Sequence, residues 1–327
     1  MGACKRYRPV AKRPTKLTSQ PRGHETMGIS KDLNYAYYPG CAAKQIQKEA
    51  DWSAREISKQ LGVTLHDMPA ATCCGAGNLQ EHDLAAALAV NARIFSQAEE
   101  MGMDIVTICN TCLQTFTFAN ERLKKEPELR EKINTVLKKA GVRPYDGTID
   151  VKHLVWVLVD DVGVEKVKKQ IKNPLGGLKV APFYGCHALR PSEVFHGRGG
   201  QAPKYLDTLI AALGGESVDY KGKDKCCGFH YMLVNEKEFL SMSGHHSLEA
   251  KTRGAEVMVS PCTLCDMSLG AYQSRSEKHL GVKINLPEMN ISQLVGVAFG
   301  LDKKTLGLNR LHQDVQPALR ARNIKVA

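Results

Sequence analysis

Cys109-Asn110-Thr111-Cys112 and Cys262-Thr263-Leu264-Cys265 close two cysteine series that are laid out alike along the chain. The first series begins at Cys41, has 31 residues before Cys73-Cys74-Gly75, and has 34 between Cys74 and Cys109. The second begins at Cys186, has 39 residues before Cys226-Cys227-Gly228, and again has 34 between Cys227 and Cys262. Ten of the 11 cysteines fall into these two sets. The vicinal pair and the CxxC of the second set both lie 153 residues beyond the first, whereas the leading cysteine is offset by 145. A loop has therefore grown between leading cysteine and vicinal pair. A fixed period of this kind marks a repeated architecture, here a duplicated metal-cluster half-domain.

Around the cysteines each half alternates strand and helix. In the first, Asn34-Tyr35-Ala36-Tyr37-Tyr38 is β-rich and stops at Pro39-Gly40-Cys41. A helix follows with Ile46, Ala50, Ser53, Ala54, Ile57 and Leu61 on one face, and Gly62 ends it. Val63-Thr64-Leu65-His66 leads toward Cys73, a helix covers 83–101, and Ile105-Val106-Thr107-Ile108 runs into Cys109. In the second half Leu178 to Tyr184 runs into Gly185-Cys186, with Pro182 suggesting an edge strand or a bulge. Helices cover 205–213 and 236–252, and Val257-Met258-Val259 precedes Ser260-Pro261-Cys262. Alternation of this kind implies parallel sheets with right-handed crossovers. The expected fold is α/β, two duplicated Rossmann-like half-domains with the cysteines at the C-terminal strand ends, where such sheets collect ligands. Helix starts there also offer backbone N–H groups to thiolates and sulfides. The expected division is a basic disordered extension at 1–33, a first domain at 34–126, a helical linker at 127–177, a second domain at 178–301 and a basic, loosely ordered tail at 302–327.

The chain has 327 residues and a net charge of +11, and six of those charges fall in residues 1–33. That excess suits a solvated extension or an arm for an acidic partner or membrane surface. Aromatic residues make up 6% of the chain and no nucleic-acid motif accompanies the charge, so no nucleic-acid partner is expected. No apolar run approaches a membrane span, and no secretory h-region is present. A cytoplasmic location follows, with peripheral membrane association as its variant. Thiols stay reduced there, so a cysteine-rich pattern points to metal or redox chemistry rather than structural disulfides. Cys4, outside both sets, receives no role.

Five cysteines are one too many for a structural zinc, which takes four ligands. A vicinal pair aims its sulfurs in different directions, which suits several metal atoms better than one. Soft thiolates select iron–sulfur clusters or zinc, and reversible disulfides are the third use of such thiols. The motifs Tyr38-Pro39-Gly40-Cys41, Cys73-Cys74-Gly75, Cys109-Asn110-Thr111-Cys112, Tyr184-Gly185-Cys186-His187, Cys226-Cys227-Gly228-Phe229 and Ser260-Pro261-Cys262-Thr263-Leu264-Cys265 resemble the B subunit of heterodisulfide reductase, of the cysteine-rich CCG-domain family. The likeness covers roughly residues 34–300. It implies two noncubane [4Fe–4S] clusters, one on Cys41, Cys73, Cys74, Cys109 and Cys112, the other on Cys186, Cys226, Cys227, Cys262 and Cys265. It also implies cleavage of a disulfide between them by one-electron steps. The basic extension before Asn34 departs from the compact methanogen proteins. It favours a relative, such as the heterodisulfide-reductase-like complex of sulfur oxidisers or a CCG subunit of a succinate or lactate dehydrogenase system.

Two histidines sit beside this pattern. His187 follows Cys186 and His230 lies three residues after Cys227, and imidazoles titrate in the range that proton delivery needs. Each serves equally as a donor to cluster sulfur or as a surface residue. Lys44 and Lys225 flank cysteines and read as solvated. No dinucleotide fingerprint is present, and no ferredoxin run, so electrons must come from partners: a ferredoxin-like iron–sulfur subunit and a flavin subunit. The substrate is a small thiol or disulfide, or a thiol-carrying protein, in an oxidoreductase acting on sulfur groups. The alternatives are a membrane-anchoring subunit relaying electrons to quinone, and a zinc-bound scaffold.

Overall fold

A computed structural model of the chain describes residues 33–195 and 204–326. The basic extension and Cys4 lie outside these, apart from Leu33. Among the described residues, eight short strands form two sheets of four: β1 (Asn34–Tyr38), β2 (Thr64–Asp67), β3 (Ile105–Thr107) and β4 (Val151–His153) in the first, then β5 (Lys179–Pro182), β6 (Glu216–Ser217), β7 (Val257–Ser260) and β8 (Glu288–Asn290) in the second. The strand orders are β2-β1-β3-β4 and β6-β5-β7-β8, and every pairing is parallel. The duplication seen in the cysteine spacing is thus a duplication of topology. The grown loop also has its place: Cys41 lies seven residues before Lys48, which starts the helix Lys48–Gln60, and Cys186 lies 19 before Tyr205, which starts its counterpart Tyr205–Ala212.

Side chains alternate across a strand, so each sheet feeds two layers. Tyr35 and Tyr37 face one core, with Val180, Val257 and Val259 of the other sheet; Ala36 and Tyr38 face a second, with Ala181 and Met258. Both cores run through both halves. Parallel sheets require cover on both faces, and here one covering helix is shared. Ile291–Ala298, buried at all eight positions, packs on Lys48–Gln60 of the first half. It belongs to the core.

Several expectations change. The segment 127–177 is more than a linker, because Val151–His153 completes the first sheet as β4. β5 is an inner strand, although Pro182 suggested an edge. The Phe183 N–H bonds to the Val259 carbonyl, so by alternation the donor that Pro182 lacks would face β6, which has already ended at Ser217. Ile46 leaves the buried stripe and is 57% exposed, because the helix breaks between Gln45 and Lys48 and its phase changes. Residues 302–326, expected to be loose, bury Leu306, Leu308, Val315, Leu319 and Ile324.

The approach to β4 hangs on one carboxylate. The buried Glu99 side chain accepts the Asp146 N–H (2.9 Å), the Thr148 N–H and hydroxyl (2.8 Å each) and the Arg143 guanidinium (2.9 Å). Burial pushes its carboxyl up, but these donors outweigh it and hold the group below the usual carboxylate range. Glu99→Gln is expected to cost about 2–3 kcal/mol, read as a lower urea midpoint at neutral pH. Because the folded value is depressed, that contribution is present above the unfolded value and lost as pH falls through the folded one. The midpoints of parent and variant should therefore converge on acidification.

Candidate metal centre

The ends of β1, β3, β5 and β7 deliver four of the cysteine groups to one rim. Cys41 follows β1 after Pro39-Gly40, and Cys109 follows β3 after Ile108; Cys186 and Cys262 do the same for β5 and β7. The vicinal pairs arrive on longer loops from β2 and β6. Cys109 and Cys262 each stand at the N-cap of a helix, in extended conformation. The Cys112 N–H faces the Cys109 sulfur without completing a cap hydrogen bond, and the Cys265 and Leu264 N–H groups face Cys262. Helix starts therefore aim positive dipoles at these sulfurs.

All ten thiols of the two sets are free, and contacts lead from each to the next. Cys41 touches Cys73, which touches Cys74. Cys74 Sγ lies 3.6 Å from Cys112 Sγ, and Cys112 contacts Cys109. The contacts then cross to the other half: Cys109 Sγ and Cys262 Sγ, equivalent positions of the repeat, are 3.8 Å apart. From Cys262 they continue through Cys265, Cys227 and Cys226 to Cys186. Among the described residues no three or more His, Cys, Asp and Glu groups are set around a point as ligands of a single ion. Five sulfurs come from each half, and the five of each set wall a common opening.

In both sets the first cysteine of the vicinal pair is the acceptor. Cys73 takes hydrogen bonds from the Cys41 and Cys74 thiols and the Gly75 N–H (3.5 Å), which lower it to about 2. Cys226 takes them from Cys186, Cys227 and the Gly228 N–H (3.3 Å), and also falls to about 2. The donors Cys41 and Cys186 move far up, through those bonds and then through burial. Two glycines make the close packing possible. A Cβ on Gly40 would sit 3.3 Å from Cys112 Sγ, one on Gly185 3.3 Å from Cys265 Sγ, and both have positive φ (87° and 70°).

His187 and His230 come together where the halves meet, with ring centroids 5.1 Å apart. His187 Nδ1 lies 3.0 Å from the Thr111 hydroxyl of the first half, and burial followed by the neighbouring His230 lowers its pKa. His230 is exposed and packs over Gly77, where a Cβ would meet its Nδ1 at 3.0 Å. Lys44 and Lys225 are exposed.

Other residues at the junction do not stand out in the sequence. Asn110 Nδ2 donates to the Tyr184 carbonyl (2.9 Å), tying the first CxxC to the turn before Cys186. His153 is buried at the end of β4; its Nδ1 accepts the Val155 N–H, so Nε2 carries the proton and donates to the Pro261 carbonyl (2.9 Å). Asp266, raised by burial to about 7, is held by Ser260 and Asn290 beside Glu288. Asn110 and Thr111 could have been found as the inner residues of the CxxC, whereas His153 and Glu288 lie in segments with no motif.

Among the described residues, thiols wall two openings. A cavity of about 530 Å³ lies over the first set, with Cys41, Cys73, Cys74, Cys109 and Cys112 in its wall. Its other side is formed by Phe229, Met232, Leu233 and Val234 from the second half. Over the second set only about 10 Å³ is open, and His187 and His230 are among its walls.

A cysteine-rich CCG domain matches twice, at residues 35–117 and 180–270. The chain is 38% identical over 84% of its length to the 8-methylmenaquinol:fumarate reductase membrane anchor subunit of Wolinella succinogenes, covering 95% of that protein. It is 33% identical, again over 84%, to the B subunit of the ferredoxin/F420H2-dependent CoB-CoM heterodisulfide reductase of Methanosarcina acetivorans, covering 91% of it. A protein of Archaeoglobus profundus that is like the B subunit of heterodisulfide reductase is 32% identical over 84% of this chain and 94% of its own length. Among solved structures a hypothetical protein of Helicobacter pylori superposes with a TM-score of 0.70 at 17% identity over 87% of this chain, a likeness of fold. This chain spans about half of that one, 52%. Among the described residues no helix is long and apolar enough to cross a membrane. With both matches falling on the two sheets and their cysteine loops, the chain belongs to the cysteine-rich CCG domain family, together with the B subunits of heterodisulfide reductases.

Proposed function

We propose that the chain is the iron–sulfur subunit of a heterodisulfide-reductase-type complex, exchanging electrons with a disulfide, thiol or persulfide. The observation that carries this reading is the grouping of five thiols in each half, with the two groups in contact at Cys109 and Cys262. The donor set fits iron–sulfur clusters: it is all thiol, soft, and five-fold in each half, with room left beside Cys112 and Cys265 by two glycines. Cys41, Cys73, Cys74, Cys109 and Cys112 would hold one noncubane [4Fe–4S] cluster, and Cys186, Cys226, Cys227, Cys262 and Cys265 the other. When bound, such clusters supply and accept electrons one at a time and offer iron to a substrate sulfur.

Reduction of a disulfide to two thiols takes two electrons and two protons. The electrons come from partner subunits carrying iron–sulfur and flavin groups. The protons fall to His187 and His230, which lie at the junction between the sets; Thr111 orients His187 through Nδ1. A second reading, relay of electrons to or from a quinone, is favoured by the menaquinol:fumarate reductase relative and by the apolar wall of the larger cavity.

Anaerobic loading followed by iron and acid-labile sulfide analysis tests the common part. About eight irons per chain are expected, and zinc without sulfide would reject it. Turnover by the reduced, loaded chain then separates the readings. Consumption of an alkyl disulfide supports the first; oxidation by a naphthoquinone with no disulfide turnover supports the second.

A further inference from the structure

The repeat lets the halves be compared position by position, and beside their CxxC motifs they differ in charge. Leu113 follows the first motif, and Asp266 stands at the same place after the second. On the neighbouring strand, Ile105 pairs with Val151, while its equivalent Met258 pairs with Glu288. Thr107 pairs with His153 in the same way, and Ser260 with Asn290. Where the first half buries Leu113 and Val151, the second therefore buries Asp266 and Glu288, which are 5% and 4% exposed. Two carboxyls in place of two aliphatic groups are costly unless the interior supplies donors.

Hydrogen bonding decides which carboxyl is charged. The Ser260 hydroxyl donates to Asp266 Oδ1, and Asn290 Nδ2 donates to Oδ2 (2.9 Å). The Asn290 amide is fixed in this direction, because its Oδ1 accepts the Ser292 N–H (3.1 Å). Glu288 also bonds to Asp266, and two carboxyls bond to each other only through a proton. With donors on both of its oxygens Asp266 is the carboxylate, and the proton sits on Glu288. Glu288 Oε1 agrees: it is buried without a partner, which a neutral carbonyl bears at lower cost than a charged oxygen. Among the described residues neither carboxyl pairs with a lysine or arginine. The charge is also held close to the thiols, since Asp266 directly follows Cys265 and Ser260 Oγ accepts the Cys262 N–H (3.2 Å). Lys44 and Lys225, one beside each set, are both exposed and screened by solvent.

We propose that Asp266 sets the order of the two clusters, its fixed carboxylate making the second set's cluster harder to reduce than the first's. An electron added to the second set lies beside a buried negative charge; one added to the first meets Leu113 instead. A single electron shared by the pair therefore rests on the first set, across the 3.8 Å contact between Cys262 and Cys109. Asp266 acts through Cys262 and Cys265, as a positioning residue that places a charge. This rests on the two-cluster reading above and deepens it by ranking the clusters.

The full-length chain, loaded anaerobically, is titrated with dithionite above neutral pH and followed by electron paramagnetic resonance. Two one-electron waves are expected, the second set's cluster at least about tenfold harder to reduce, about 59 mV lower. Cys112→Ser, with only the second set complete, and Cys265→Ser, with only the first, identify the waves. Asp266→Asn should raise the second wave by about tenfold, about 59 mV, and leave the first in place. Glu288→Gln removes no charge and its amide still donates to Asp266, so both waves should stay. A lesion of packing alone would not separate these two isosteric variants. Equal potentials in the parent, a lower first wave, or no rise in Asp266→Asn would overturn the proposal. So would a shift in Glu288→Gln as large as that in Asp266→Asn. The separation in the parent needs no change at Asp266, so the test survives a variant that does not fold. A metal-free readout checks the charge itself. In the unloaded chain above neutral pH, the infrared band of a protonated carboxyl should persist in Asp266→Asn and vanish in Glu288→Gln; its absence from the parent would overturn the assignment. Failure to reach about eight irons with sulfide would reject the two-cluster reading and the ranking with it, leaving the infrared result to stand for the charge alone.

Discussion

Cys112→Ser is expected to lower the metal content of the anaerobically loaded chain from about eight irons to about four. Cys112 is buried and joins two neighbours, with Cys74 Sγ at 3.6 Å on one side and Cys109 on the other. Serine keeps the shape of the side chain but replaces a soft thiolate with a hard hydroxyl, a poor ligand for iron in a sulfide cluster. The first set would lose the link between Cys74 and Cys109, while the second set, Cys186 to Cys265, keeps all five thiols. Cys265→Ser should give the mirror result, and the double variant should hold almost no iron. Iron and sulfide per chain measure this directly, with circular dichroism as the check on folding. A Cys112→Ser protein that still holds about eight irons would remove Cys112 from the ligand set. Both single variants should also lose catalytic electron exchange, because the contacts cross between halves at Cys109 and Cys262 and each variant breaks them beside that crossing.

What could be seen in the sequence and what could not divide along physical lines. The cysteine spacing exposed the duplication, and the β-rich runs before Cys41, Cys109, Cys186 and Cys262 exposed the four inner strands, because buried parallel strands are short apolar runs. β4, β6 and β8 were missed. Val151-Lys152-His153 and Glu288-Met289-Asn290 are three residues each, and Glu216-Ser217 only two, too short for periodicity to register. Glu288 is moreover a buried carboxyl, the opposite of what a core position signals. Ligand spacing tells which thiols each half brings to its rim, but not how two rims face one another. The Cys109–Cys262 contact, the Asn110 bond to Tyr184 and the tie from His153 to Pro261 are properties of the junction alone.

Deleting residues 302–327 is expected to abolish soluble, folded protein, although the composition of this stretch reads as a solvated tail. Leu306, Leu308, Val315, Leu319 and Ile324 are all buried, none more than 6% exposed. At about 1.5–3 kcal/mol for each side chain their burial amounts to roughly 8–15 kcal/mol as an upper bound, comparable with the whole net stability of a domain, about 5–15 kcal/mol. Polar contacts add specificity. The Leu306 carbonyl accepts a hydrogen bond from Gln293 Nε2 (2.8 Å), and Gly296 admits Leu306 so closely that a Cβ there would clash with it. Arg310 reaches Glu49 of the first half (2.9 Å), while Gln313 donates to the Gly270 carbonyl of the second (3.0 Å). The segment therefore clamps the two halves and so helps to set the distance at which Cys109 meets Cys262. Leu319→Ala, a milder version of the same lesion, should cost about 2–5 kcal/mol, visible as a lowered thermal midpoint. It should also weaken retention of metal, if the contact between the two sets of thiols depends on the halves being held together. A truncated chain with the parent's thermal midpoint and full iron content would show that the clamp contributes to neither.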